Sequence, residues 1–88
     1  MANTRSAAKR ARSSQKRRLY NRSVKSTVKT LVKRFEEAVA AGDAQLARER
    51  YSKAASALDK AVNKGVLHKN AAARKKSRMA TKLAKLAS

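Results

Sequence analysis

Cysteine and proline are absent from this 88-residue sequence, and glycine occurs only twice. The lack of cysteine excludes disulfides and thiolate metal sites. With no proline and two glycines, little interrupts a long helix. No run of 18 apolar residues is present, and no hydrophobic segment follows the basic N-terminus. The sequence therefore predicts neither a membrane span nor a secretory signal.

Acids and large apolar side chains are also scarce. Leu, Val and Phe together number 14, Ile is absent, and five acids face 24 Lys and Arg, which gives a net charge of +19. Such a composition is normally typical of disorder. Nineteen residues are Ala, however, and Ala, Lys, Arg, Glu and Leu are the strongest helix formers. We therefore predict an all-α protein with a thin core.

The charge is unevenly distributed. Residues 1–34 hold 12 basic side chains and residues 60–88 hold nine, with no acid in either range, and all five acids lie between Glu36 and Asp59. Surfaces that serve only solubility usually intersperse both signs, so this pattern favours a polyanion bound by both ends of the chain. A mitochondrial transit peptide has a similar acid-poor, Arg-rich and Ser-rich composition. The start of this chain lacks the Leu and Phe face of such a signal, and the distant C-terminus is equally basic.

Gly42 and Gly65 mark the expected helix ends, because glycine adopts the left-handed conformation that terminates helices. Asp43 is suited to cap the second helix. Three helices are predicted, at roughly 4–41, 44–64 and 68–86. Each has an apolar stripe at spacings of three and four residues: Val24, Val28, Leu31, Val32, Phe35, Ala38 and Val39; Ala47, Tyr51, Ala54, Leu58, Ala61 and Val62; and Ala72, Met79, Leu83 and Leu86. Amphipathic helices with short connections predict an antiparallel three-helix bundle.

The first predicted helix is much longer than the others. At 1.5 Å per residue it spans roughly 57 Å, against about 30 Å for each partner. Its N-terminal half thus has no partner within the chain, which suits a segment with no large aliphatic residue before Leu19. We predict one domain, residues 1–88, in which residues 1–18 form a projecting basic extension.

Basic stripes run beside the apolar ones on helical projection. In the third helix the stripe consists of Arg74, Lys75, Arg78, Lys82 and Lys85. Lys76 takes a core-facing position, where its stem can pack while its ammonium reaches water. The first helix has one stripe at Arg18, Arg22, Lys25, Lys29 and Lys33, and another at Arg5, Lys9, Arg12 and Lys16 on nearly the opposite side. Charges on two sides suit a rod between two nucleic-acid backbones.

Aromatic residues are too few for a typical single-strand binder, which stacks bases on aromatic rings. Only Tyr20, Phe35 and Tyr51 are present, and two of them lie on apolar stripes. Duplex or folded RNA fits better, with DNA left open, and short polar side chains between the charges are candidates for sugar and phosphate contacts. A basic-zipper interpretation is weakened because Gly42 ends the pattern within three heptads.

Catalysis has little support, and no enzyme activity, cofactor, small-molecule substrate or metal is predicted. His68 is the only histidine, and no acid or thiol completes a constellation around it. A capping or packing role for His68 and a core role for Tyr51 are expected. Tyr20 either stacks on a base or lies against the end of the bundle.

Several segments together resemble the bacterial small-subunit ribosomal protein S-twenty family. They are "MANTRSAAKR", the residues Asn21, Ser23, Ser26 and Thr30, the turn "AAGD", and "KGVLHKNAAARKKSR" at 64–78, which is the most specific. The resemblance covers the whole chain. It implies a cytoplasmic protein, monomeric within the small ribosomal subunit, that binds small-subunit ribosomal RNA early in assembly, low on the body. It also implies contacts with the 5′ domain and with the long stem near the 3′ end, and contact with other ribosomal components through RNA. Family members often have a basic residue where Ala8 stands, so one phosphate contact is expected to be missing.

The pattern and the resemblance together predict the RNA-binding residues. They are Asn3, Arg5, Ser6, Lys9, Arg10, Arg12, Lys16, Arg17, Arg18, Asn21, Arg22, Ser23, Lys25, Ser26, Lys29, Thr30, Lys33, Lys64, His68, Lys69, Asn70, Arg74, Lys75, Lys76, Ser77, Arg78 and Lys82. Two other functions fit the sequence less well. DNA-compacting tails are usually proline-punctuated or repetitive, unlike this chain, and a membrane-active cationic helix needs a free apolar stripe, whereas here three helices can cover one another.

Overall fold

A computed structural model describes residues 2–87, with side chains from residue 4 onward, and shows three helices and no strand in that range. The helices are α1 (Ala2–Ala40), α2 (Ala44–Asn63) and α3 (Lys69–Ala87). The predicted all-α fold with a long first helix is confirmed. Each boundary lies within two residues of its predicted position.

The turn between α1 and α2 is closed as the sequence predicts. Gly42 has a φ of +75°. Its N–H donates to the Val39 carbonyl at 3.0 Å, and the Asp43 N–H donates to the Ala38 carbonyl at 3.2 Å, which is the Schellman pattern. The Asp43 carboxylate then accepts from the Leu46 N–H at 3.0 Å and caps α2. The chain therefore reverses direction in a few residues, and α2 returns antiparallel along α1.

The second turn repeats this pattern. Gly65 has a φ of +74°, and the Val66 N–H donates to the Ala61 carbonyl at 2.9 Å. The Nδ1 atom of His68 accepts from the Asn70 N–H at 3.1 Å at the start of α3. The expected capping role of His68 is therefore what the structure shows.

The core is thin and rich in alanine. Phe35 and Leu58 are the largest fully enclosed side chains. The other buried residues are Val28, Ala38, Ala47, Ala54, Ala61, Ala72 and Met79. Tyr51 is half-buried, with its ring centroid 6.0 Å from that of Phe35, as expected for a core position. Small side chains let the helices approach closely, so this short chain builds a core from few large residues.

Helix α3 packs mainly on α2 and makes few contacts with α1. An ion pair supports each of these contacts. Lys76 Nζ donates to Asp59 Oδ1 of α2 at 2.8 Å, and Lys82 Nζ donates to Glu36 Oε1 of α1 at 3.3 Å. Lys76 is half-buried, as its core-facing position predicts, and its ammonium ends on a carboxylate. The hydrogen bond to Asp59, aided by charge attraction, raises the pKa of Lys76.

The N-terminal half of α1 projects beyond this packing. Every side chain from residue 4 through residue 20 is exposed, and the first half-buried one is Asn21. The molecule measures 66 × 21 × 13 Å, and its long dimension is close to the roughly 58 Å expected for a 39-residue helix. The rod thus consists of a short bundle at one end and an unpartnered helix at the other.

Candidate nucleic-acid interface

The N-terminal extension presents its predicted binding residues to solvent on all sides. Exposed side chains are those of Arg5, Ser6, Lys9, Arg10, Arg12, Lys16, Arg17 and Arg18. The side chain of Asn3 lies outside the described residues. Because no other helix covers this segment, its cations are available to ligands around the whole circumference of the helix.

A second set of cations forms a face shared by α1 and α3. On α1 it consists of Arg18, Arg22, Lys25, Lys29 and Lys33, and on α3 of Arg74, Lys75, Arg78 and Lys82, all exposed. The Lys82–Glu36 pair joins the two stripes, because Glu36 lies in line with Lys25 and Lys29 on the projection of α1. We call this surface the α1–α3 face. It brings together two stripes that are more than 40 residues apart in the chain.

The predicted polar positions surround these cations. Ser23, Ser26, Thr30 and Ser77 are exposed, and Asn21 is half-buried. The carbonyls of Ser23 and Ser77 already accept hydrogen bonds from Thr27 and Thr81, each at 3.0 Å. These bonds use the backbone carbonyls of the two serines, and both serine side chains are exposed.

The turn between α2 and α3 adds a cluster of basic and polar side chains near the point where α1 extends beyond the bundle. Lys64, His68, Lys69 and Asn70 are all exposed there. Lys64 Nζ lies 5.5 Å from the ring centroid of Tyr20, which is 49% exposed. Of the two roles left open for Tyr20, the structure shows contact with the end of the bundle. The cation holds the ring at the junction between bundle and extension.

Two predicted binding lysines differ from the rest because carboxylates already hold them. Lys76 is paired with Asp59 and Lys82 with Glu36. Their first role in the described structure is to attach α3 to its neighbours. Lys82 remains half-exposed on the α1–α3 face, where a second anion can approach it.

Sequence reasoning overlooked cations on α2. Lys53 and Lys60 line an open groove between α1 and α2, and Arg34 lines its continuation. Two signals were available. Lys53 and Lys60 are seven residues apart, and Arg34 shares a helical face with Lys9 and Lys16. Neither signal reveals that the two helices bring these residues together.

Residues 2–87 contain little that suits another kind of site. No cluster of three or more His, Cys, Asp or Glu suited to a metal ion occurs in that range. None of the helices described there is long and apolar enough to cross a bilayer. Exposed cation stripes are therefore the dominant feature of the described surface.

This fold and these surfaces define a class: small, strongly basic, all-α proteins whose cationic faces suit a polyanion. The family model for ribosomal protein S20 matches residues 2–84. The chain belongs to this family, whose members are structural components of the small ribosomal subunit, and the resemblance noted in the sequence is confirmed.

Relatives named small ribosomal subunit protein bS20 are similar over nearly their full length. The protein of Geobacillus kaustophilus is 53% identical over 94% of this chain and 93% of its own. That of Anaeromyxobacter sp. is 54% identical over 99% and 97%, and that of Streptomyces avermitilis 52% identical over 98% of both. All three are named as proteins of the small ribosomal subunit.

Proposed function

We propose that this protein binds small-subunit ribosomal RNA directly, through the N-terminal extension and the α1–α3 face, and stabilises folded RNA while the subunit assembles. It acts as a monomer within the cytoplasmic small subunit and reaches other ribosomal components through the RNA. Its role is structural and non-catalytic, in keeping with its family.

The observation that carries this proposal is the exposure of the extension. Residues 4–20 bury no side chain, yet they are strongly basic and helical. Such a segment repels itself and gains nothing from tertiary packing, so its helix needs an external source of stability. Phosphates provide it, because each contact neutralises a charge and releases condensed counterions.

Aromatic placement supports folded or duplex RNA over single strands. Phe35 is buried and Tyr51 packs against it, which leaves Tyr20 as the single exposed ring of the described chain. One exposed ring does not form a platform for successive bases. Recognition then depends on shape, phosphates and 2′-hydroxyls, which suits lysine, arginine, serine and threonine side chains on helical faces.

The two charged sides of α1 support simultaneous contact with two RNA segments. The stripe of the extension at Arg5, Lys9, Arg12 and Lys16 lies nearly opposite the stripe that runs from Arg18 to Lys33 farther along the same helix. The S20 resemblance implies such segments, one in the 5′ domain and one in the long stem near the 3′ end. A rod with cations on both sides can hold them together.

Hydroxyl-radical footprinting on protein-free small-subunit RNA tests the proposal. We expect protection of two regions that are separate in the RNA sequence, and we expect duplex DNA of equal length to compete poorly. A variant with Lys9, Arg12 and Lys16 replaced by Gln should lose protection at one region first. Equal competition by duplex DNA, or no discrete footprint, would contradict the proposal and favour a nonspecific polyanion binder.

A further inference from the structure

We propose that the groove between α1 and α2 is an additional phosphate-backbone site, in which Lys53 and Lys60 of α2 bind a phosphodiester strand of folded RNA. This inference rests on the proposed function. It adds a surface outside both the extension and the α1–α3 face. It also gives α2 a role in binding that the charge distribution along the sequence did not suggest.

The groove is built by both helices. Thr27 and Leu31 of α1 form one wall, and the α2 side is lined by Ser52, Lys53, Ser56, Ala57 and Lys60. It encloses about 460 Å³ and is open to solvent. Asp59, which binds Lys76 of α3, lines the separate groove between α2 and α3. The α1–α2 groove is thus a surface of its own.

Its chemistry suits a phosphodiester chain. No acid lines this part of the groove. Leu31 and Ala57 are half-buried along it, and Ser52 and Ser56 are short, so a sugar–phosphate backbone can approach closely. Lys53 and Lys60 lie about 10.5 Å apart along the helix axis. Within the described chain, neither ammonium forms a hydrogen bond or ion pair, so both can donate to phosphate oxygens.

The groove continues toward the α1–α2 turn, where Arg34, Arg50 and Lys53 line it with Glu49. Three cations outnumber the single acid, and Glu49 forms none of the ion pairs found in residues 2–87. The positive field therefore persists along the groove. A negatively charged ligand is therefore attracted along the whole length of the groove.

The groove also continues the basic stripe of the extension at Arg5, Lys9, Arg12 and Lys16. Lys9, Lys16, Thr27 and Arg34 fall within about 20° of one another on the α1 projection and span about 38 Å. The face that carries Lys9 and Lys16 thus becomes the α1 wall of the groove. One RNA backbone can follow it from the extension onto α2. The α1–α3 face, directed elsewhere, then remains for another RNA segment.

An acidic protein segment is the competing occupant. RNA is favoured because the groove is open to solvent, because hydroxyls and two lysines but no acid line it, and because it is continuous with the extension. Affinity for small-subunit RNA and its salt dependence separate the two occupants. The matched pair of single variants is Lys60→Gln and Arg48→Gln, since both residues are exposed on α2 and Arg48 does not line the groove.

If counterion release dominates, each lost contact should weaken binding about five- to eightfold in 0.1 M salt. We expect this loss for Lys60→Gln and less than about a twofold change for Arg48→Gln, whose charge acts only through screened solvent. The double variant Lys53→Gln/Lys60→Gln should flatten the plot of log affinity against log salt by about 1.4 to 1.8. Equal affinity of Lys60→Gln and Arg48→Gln would overturn the inference.

Proximity provides a second readout. Because the sequence has no cysteine, a Ser56→Cys variant accepts a single tethered iron chelate that cleaves nearby RNA. We expect cleavage within one continuous RNA strand, at positions different from those cut by an Asn63→Cys variant, since Asn63 lines the α2–α3 groove.

The outcomes distinguish the two proposals. If the unmodified protein fails to bind small-subunit RNA, the proposed function fails and this inference fails with it. If the unmodified protein binds but Ser56→Cys cuts no RNA and the lysine variants bind normally, the groove proposal alone is wrong. If the lysine variants bind RNA normally but are lost from the assembled subunit, the groove binds a protein segment instead.

Discussion

Lys82 of α3 lies 3.3 Å from Glu36 of α1, although 46 residues separate them in the chain. Both side chains are about half-exposed, at 50% and 52%. An ion pair in such a solvated position contributes about 1 kcal/mol or less. Glu36 therefore positions the Lys82 ammonium. A phosphate that takes the place of the Glu36 carboxylate loses little free energy in doing so.

Glu36→Gln should strengthen RNA binding by up to about fivefold, because Lys82 no longer has a competing carboxylate. Glu37→Gln is the matched control, since it removes the same charge from the neighbouring exposed residue, which forms none of the ion pairs in the described chain. Affinity at one salt concentration measures the effect. If both variants gain equally, the change reflects net charge, and the proposed competition for Lys82 is wrong.

The extension should be unstable without RNA. Backbone amides of residues 4–18 are expected to exchange rapidly in the isolated protein and to become protected in the complex, because like charges repel along a helix that has no packing partner. Hydrogen exchange followed residue by residue tests this. Amides around Phe35 and Leu58 serve as the internal reference. Protection of the extension equal to theirs, without RNA, would contradict the prediction.

Salt dependence should be steep for the unmodified protein. With about eight to ten phosphate contacts, log affinity should fall with log salt at a slope of roughly −6 to −9. A titration series over several salt concentrations measures this directly. A slope shallower than about −2 would mean that few phosphates are bound, whatever the absolute affinity.

The α3 stripe should contribute to binding rather than folding. Replacing Arg74, Lys75 and Arg78 together by Gln is expected to weaken RNA binding and to leave thermal unfolding unchanged or slightly improved, because the three exposed cations repel one another in the isolated protein. Lys76 and Lys82 are kept because their ion pairs attach α3. Parent-like affinity would show that α3 does not contact RNA, while a large loss of helicity would assign the stripe to folding.

Most of the fold could be predicted because its signals are local. Two glycines in a proline-free, alanine-rich chain mark both turns, and the spacing of apolar residues identifies the core face of each helix. The buried alanines of α2, Ala47, Ala54 and Ala61, recur every seven residues and follow the same rule. The packing roles of Leu46, Ala57, Val66 and Leu67 were not predicted. They lie at the edges of stripes or in the turn, where burial depends on how neighbouring helices are rotated.

The candidate interface could be predicted only in part, for a related reason. Cations on one helix share a face by periodicity alone, so the stripes of α1 and α3 are visible in the sequence. Two features depend on the rotation and spacing of packed helices. One is the pairing of Lys76 with Asp59, and the other is the presence of Thr27 and Lys60 in one groove. Charge spacing within one helix does not contain that information.

The thin core should make the bundle sensitive to a single truncation, and two leucines provide a matched comparison. Leu58 is fully buried, whereas Leu19 is 66% exposed. Leu58→Ala should cost about 2 to 5 kcal/mol, because it leaves a cavity among small side chains that cannot close around it. Leu19→Ala should change the free energy of unfolding by no more than about 0.5 kcal/mol.

Thermal and urea unfolding followed by circular dichroism measure the stability of both variants. A small domain has only about 5 to 15 kcal/mol of stability in total, so Leu58→Ala is expected to lose much of its helical signal at physiological temperature. Similar unfolding of the two variants would mean that the projecting helix, and not the Phe35–Leu58 core, determines the stability of the chain.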